Sequence, residues 1–181
     1  MKKTIVRNIA SVMSAIAALS FFSSCEKDDS GKDKNSDSKT DSATIESIKA
    51  DYALEFSEDV LKFYDITVTY GTDGKTEKTE NISNTKWSAS CTYNEDKLPA
   101  SVFCKAVMTP KTERPSIEPE TVYTVTKNKN CSVSAIYKDG KNSVLNVYEN
   151  SSSNPVKGKK FEEYLNKGEQ VACDYSYSIK Y

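Results

Sequence analysis

Five cysteines, at positions 25, 91, 104, 131 and 173, carry the sharpest chemistry in this chain, and no histidine accompanies them. A thiolate is a strong nucleophile and a soft metal ligand, yet a nucleophilic cysteine usually works beside a base, and a catalytic zinc usually beside imidazole. Without histidine the Ser-His-Asp and Cys-His arrangements are excluded, along with the commonest ligand of zinc and of non-haem iron. Cys25 stands apart at the end of an apolar stretch. Cys91, Cys104, Cys131 and Cys173 remain, an even number compatible with two disulfides if the chain is exported. Cys91 with Cys104 would close a hairpin and leave Cys131 for Cys173, but four cysteines allow three connectivities and spacing does not choose. The alternative is that all four are small buried apolar side chains, unbonded. A zinc site built from all four is not expected, because no Cys-x-x-Cys pair supplies close ligand spacing, so the sequence names no metal.

Other chemistry is sparse. The chain has six glycines, and neither a G-x-G-x-x-G nor a P-loop is among its motifs. An acidic EF-hand-like loop is missing too, so no cofactor is expected. Paired carboxylates could still hydrolyse a glycosidic bond, but their separation across a cleft is not written in sequence. Glu162 and Glu163 are adjacent on a predicted helix and read as its solvated face. No catalytic residue is therefore named, and the chain is read as a non-enzyme. With 25 basic against 26 acidic side chains there is no polybasic footprint, which argues against nucleic acid as a partner.

The first 24 residues have the organisation of a secretory leader: Lys2, Lys3 and Arg7 precede an apolar run from Ile9 to Phe22, which is too short to span a bilayer comfortably. The segment Phe22-Ser23-Ser24-Cys25 resembles the bacterial lipobox, with phenylalanine where leucine is usual. That resemblance implies cleavage by signal peptidase II and acylation of Cys25, which would become the mature N-terminus. Each buried methylene contributes about 0.8 kcal/mol, so two or three acyl chains would anchor the protein to a membrane without spanning it. The following Lys27-Asp28-Asp29 is similar to the surface-export signal of Bacteroidota lipoproteins, which implies an outer-membrane, cell-surface location; a periplasm-facing lipoprotein is the alternative. Residues 26–42 hold no apolar side chain and read as a disordered tether with a reach of roughly 20–25 Å. Within it, Asp41-Ser42-Ala43 resembles the O-glycosylation site of exported Bacteroidota proteins, which would place a glycan on Ser42.

From residue 43 to 181 the pattern is period-two alternation, the mark of strands with one dry and one wet face. Ile66-Val68-Tyr70, Trp87-Ala89-Cys91-Tyr93 and Tyr175-Tyr177-Ile179-Tyr181 each alternate with Ser, Thr or Lys. Asp73-Gly74 and Asp139-Gly140 predict two hairpin turns, and further strands are expected at 52–56, 101–108, 121–126 and 144–148. Residues 110–119, with three prolines, predict an irregular crossing. Ser57 is placed to cap a short helix over 58–63, and Phe161, Tyr164 and Leu165 predict a second over 159–167, stopped by Gly168. About nine strands with one or two short helices predict a single mainly β domain, an antiparallel β-sandwich of immunoglobulin-like style, with a lipocalin-like barrel as the alternative.

A fold of this kind implies no activity. The anchor, the tether and a compact β domain lead to the expectation of a binding or accessory module that captures a glycan or protein. An adhesin or fimbria-associated subunit using a free strand edge, or a barrel holding a small apolar ligand, are the alternatives. Trp87 and most tyrosines are assigned to the core; Tyr123, Tyr148 and Tyr181 are those the core explains least.

Overall fold

The computed structural model describes residues 44–72 and 77–181. Cys25, Lys27, Asp28, Asp29 and Ser42, like the turn at Asp73-Gly74, lie outside the described residues. Nine strands and two short α-helices follow in the order β1 (Ile45–Phe56), α1 (Glu58–Phe63), β2 (Tyr64–Thr72), β3 (Lys78–Ile82), β4 (Lys86–Asn94), β5 (Ser101–Pro110), β6 (Val122–Tyr137), β7 (Asn142–Asn150), β8 (Ser153–Lys157), α2 (Gly158–Leu165) and β9 (Gln170–Ser178). They form two antiparallel sheets, ordered β4-β1-β6-β7 with β8 continuing beside β6, and β3-β2-β5-β9. Each sheet keeps two edges, so the molecule is a sandwich and not a closed barrel. The chain changes sheet at every connection between successive strands except β2–β3, β6–β7 and β7–β8.

Alternation decides the layers. Ile48, Ala50, Tyr52 and Leu54 of β1 face Ile66, Val68 and Tyr70 of β2 and Val102, Cys104, Ala106 and Met108 of β5 across the interior, all buried. Nonpolar area on this scale, at roughly 25 cal/mol per Å², is the main driving force for closing the sandwich. The outward positions of β1, β4 and β6 are instead small or polar, as in Lys49, Asp51, Ser90, Thr92, Ser132 and Ser134, which lie alongside one another in register.

The seam between the layers is tied by one carboxylate. Glu80 of β3 accepts from Tyr70 Oη of its own sheet and, at 3.0 Å, from Trp87 Nε1 of the opposite sheet, while the Trp87 ring meets Tyr70 edge-on at 5.2 Å. Both donors hold the Glu80 carboxyl below its ordinary range, the tyrosine having the larger effect.

Ser57 departs from its expected part. It makes no cap bond to α1. Its hydroxyl bonds Thr124 O and accepts from Thr126 N at 3.1 Å, and Asp59 Oδ2 accepts from Thr124 N at 2.7 Å. The strand β1 ends at Phe56, so the backbone of β6 beyond that point has lost its ladder partner. The side chains of Ser57 and Asp59 take the place of the missing strand, because buried backbone groups need partners.

The proline-rich crossing packs back onto the start of α2. Gly158 N donates to Thr121 O at 2.8 Å, and a Cβ at Gly158 would lie 2.0 Å from Glu118 O. Gly158→Ala should therefore cost about 2–3 kcal/mol by forcing this backbone contact apart, read as a fall in thermal midpoint. Gly140→Ala, whose Cβ would meet nothing within 4 Å but whose φ is +81°, should cost less, about 1 kcal/mol.

Candidate functional site

The strand β6 runs unbroken for 16 residues, and its inward side reads Tyr123, Val125, Lys127, Lys129, Cys131, Val133, Ala135. Two lysines therefore project into the sandwich. Lys127 pairs with the buried Phe56, and Lys129 with the buried Leu54, on β1. Both are half-buried, their stems packed on the inward side of the strand.

Lys127 stands in a cleft of about 210 Å³ at the α2 end of the sandwich. One wall is Tyr64, Met108 and Gln170 from the β3-β2-β5-β9 sheet; the other is Val125, Asn154 and Val156 from β6 and β8, with Phe161 and Tyr164 of α2 closing the side. The α2 side is held by ring packing and hydrogen bonds. Phe161 is buried, stacks on Tyr123 with ring centroids 4.8 Å apart, and meets Phe63 edge-on at 5.0 Å. Gln170 Nε2 donates both to Tyr64 Oη and to Tyr164 O, each at 2.9 Å, which fixes β9 against β2 and α2. Burial raises the Tyr64 phenol above its ordinary value, so it stays neutral and keeps its own O–H to donate.

No carboxylate lies within ion-pair distance of Lys127 among the described residues. Burial lowers its pKa, and the nearby Lys129 lowers it further. A half-buried ammonium with a like-charged neighbour and no counter-ion leaves positive potential in the recess unbalanced by the described residues. Beside it are aromatic and aliphatic walls together with amide and hydroxyl groups from Asn154, Ser152 and Gln170. A mainly apolar recess with a few convergent polar groups is the usual form of a ligand pocket.

Further along β6, Lys129 Nζ donates to Ala172 O at 3.2 Å and lies 5.3 Å from the centre of the Tyr148 ring. Beyond it the cysteines are sorted by the fold in a way their spacing did not announce. Cys104 of β5, Cys131 of β6 and Cys173 of β9 are fully buried, and their sulfurs all lie within 4.8 Å of one another. Cys91 on β4 is half-buried and outside this group, and all four thiols are free. Of the connectivities left open, the Cys91–Cys104 hairpin closure is not seen, since those residues belong to strands of different sheets, and Cys131 and Cys173, though close, are unbonded, as in the alternative of free buried thiols. In its neutral form Cys173 Sγ donates to Cys104 O at 3.6 Å. On deprotonation it accepts from the Cys104 and Cys131 thiols, with Lys129 adding its charge, and these effects lower its pKa. Cys104 and Cys131 are pushed up, Cys104 chiefly by its thiol neighbours and Cys131 by Cys173 and burial, against lowering contributions from Cys104 and Lys129.

Two of the tyrosines set aside above belong inside. Tyr123 is buried on Phe63 and Phe161, and Tyr148 stacks on Tyr175 at 5.8 Å; Tyr181 is 66% exposed, with its hydroxyl bonded to Pro99 O. Glu162 and Glu163 are exposed, as read. Lys127 and Lys129 were not among the residues singled out from sequence, although both share the parity of Tyr123, Val125, Cys131 and Val133. A scan against protein-family models gave no match, and searches of curated proteins and of solved structures gave none either.

Proposed function

We propose that the chain is a surface-tethered outer-membrane lipoprotein, anchored through Cys25, whose sandwich is a non-catalytic binding module taking the acidic end of a glycan into the Lys127 cleft. The observation that carries the reading is the half-buried lysine without a counter-ion, set among rings. An acidic sugar has matching parts: a ring body for Tyr64, Phe161 and Tyr164, hydroxyls for the amides, and a carboxylate or sulfate for Lys127. The anchor and export signal rest on the resemblance of residues 22–29. A tether of some seventeen polar residues would hold the cleft off the lipid while leaving it free to turn.

A glycan array carrying uronic, sulfated and neutral saccharides tests this. Binding should be confined to acidic glycans and should fall at least tenfold for Lys127→Met. The same substitution should leave stability unchanged or raised by less than about 1 kcal/mol, since a strained, screened charge is exchanged for an apolar side chain of similar length. Binding that prefers neutral glycans, or ignores the substitution, would overturn the cleft assignment.

A protein-binding role through strand addition has one observation in its favour. Val144 and Val147 on the edge strand β7 are 64% and 56% exposed, and both lie on the outer side of the sheet because a bulge at Leu145 shifts the register. Lysine at both positions would abolish such binding and leave the cleft intact.

A further inference from the structure

The three buried thiols have a use independent of the cleft. We propose that Cys104, Cys131 and Cys173 form a binding site for a soft d10 metal ion held by three sulfur ligands, with Tyr52 as the hydrogen-bonding support.

Geometry favours an ion over a bond. Cys104 is paired with Tyr175 and Cys173 with Ala106, so the two cysteines are diagonal neighbours on adjacent strands. Diagonal Cα atoms are roughly 7–8 Å apart, beyond the usual disulfide span. Cys131 faces them from the other layer, and packed sheets are separated by about 10 Å. A metal–sulfur bond of about 2.3 Å instead places sulfurs about 4 Å apart in a trigonal set, a small contraction from the observed spread of up to 4.8 Å.

The surroundings are built for an anionic complex. In one sheet Cys131 lies between Tyr52 and Tyr148, and in the other Cys104 lies between Tyr70 and Tyr175, so two Tyr-Cys-Tyr rows face each other. Tyr52 is 1% exposed, and its hydroxyl is a buried polar atom with no hydrogen-bond partner. Tyr52 is paired with Cys131 on the adjacent strand, and both side chains face the interior. A coordinated thiolate would give it the acceptor it lacks, in the way that outer groups support metal ligands. Binding through three thiolates releases three thiol protons to solvent and leaves one net negative charge for a divalent ion and two for Cu(I). Lys129, two residues before Cys131 on β6 and bonded to Ala172 O next to Cys173, sets a positive charge against it. Thiolate ligands without imidazole select Cu(I), Zn(II) and their heavier relatives.

The test uses the full chain in detergent, reduced and oxygen-free, titrated separately with Cu(I) and Cd(II), whose thiolate complexes absorb in the ultraviolet. Charge-transfer absorption should saturate at one ion per chain, and X-ray absorption should find three sulfurs about 2.3 Å from copper. Cys91→Ser should keep the signal. Cys131→Ser should lose about a third of it and bind at least tenfold more weakly. Tyr52→Phe preserves the ring and its packing, so it covers the case where the cysteine variant fails to fold, and it should weaken binding by about 10–100-fold. A titration without saturation, or sulfur coordination unaffected by Cys131→Ser in a folded protein, would overturn the site. So would a disulfide between any two of the three in unreduced protein.

Discussion

Phe161→Ala should destabilise the domain by about 3–5 kcal/mol and remove the cleft with it. The ring is 1% exposed, stacked on Tyr123 and edge-on to Phe63, and it is the main attachment of α2 to the sandwich, with Leu165 as the second. A helix of eight residues has no independent stability, so its place depends on this burial. Chemical denaturation with the midpoint followed by circular dichroism measures the loss. Ligand binding should fall alongside it, because Phe161 and Tyr164 form one side of the recess. A loss below 1 kcal/mol would mean that α2 is held by something other than the aromatic cluster.

The second large effect is alkaline unfolding. Burial pushes Tyr70 and Tyr175 up to about 12, with the Glu80 hydrogen bond adding to Tyr70, while Tyr52 and Tyr93 are pushed higher still, again chiefly by burial. In the unfolded chain these phenols ionise near 10. A group whose folded pKa is raised contributes stability that is whole below the unfolded value and is lost as pH climbs toward the folded one. Stability should therefore be flat up to about pH 9 and fall steeply between about 10 and 12, several phenols acting together. Tyrosinate absorbance should rise in two steps, the first from exposed rings and the second coincident with loss of near-ultraviolet circular dichroism. A single gradual rise with the fold retained would show that the interior rings reach solvent without unfolding. At the acid end Glu80 works in the opposite sense: its stabilisation is present above the ordinary carboxyl value and is lost as pH falls below it.

Much of this architecture is readable from alternation, since Ile66-Val68-Tyr70 and Trp87-Ala89-Cys91-Tyr93 fall on strands with the predicted faces inward or half-buried. The turn at Asp139-Gly140 forms with Gly140 at positive φ, the crossing expected at 110–119 carries no strand beyond Pro110, which ends β5, and Gly168, also at positive φ, follows α2. What alternation could not give is the continuity of β6. Lys127, Asn128, Lys129 and Asn130 look like a polar break between two strands, yet they are paired on both sides, with β1 and with β7 or the Ser152 turn. The interior lysines that interrupt the apolar pattern are the same residues that make the cleft, so the departure from pattern and the candidate site coincide. The short β8 was hidden by Pro155, tolerated because that strand lies at a sheet edge. The convergence of Cys104, Cys131 and Cys173 has a different cause. Their inward facing was legible, but their meeting depends on which strands occupy the middle of each sheet, and that is set by topology between residues 27 and 69 positions apart.

The most direct test of the binding account is a calorimetric titration of the protein with a uronic-acid oligosaccharide and with its neutral, reduced-carboxyl counterpart, at two pH values on either side of the lowered Lys127 pKa. Binding of the acidic sugar that weakens as pH rises, that is absent for the neutral sugar and that is lost in Lys127→Met is the predicted result. Equal heats for the two sugars, or for the two proteins, would contradict it.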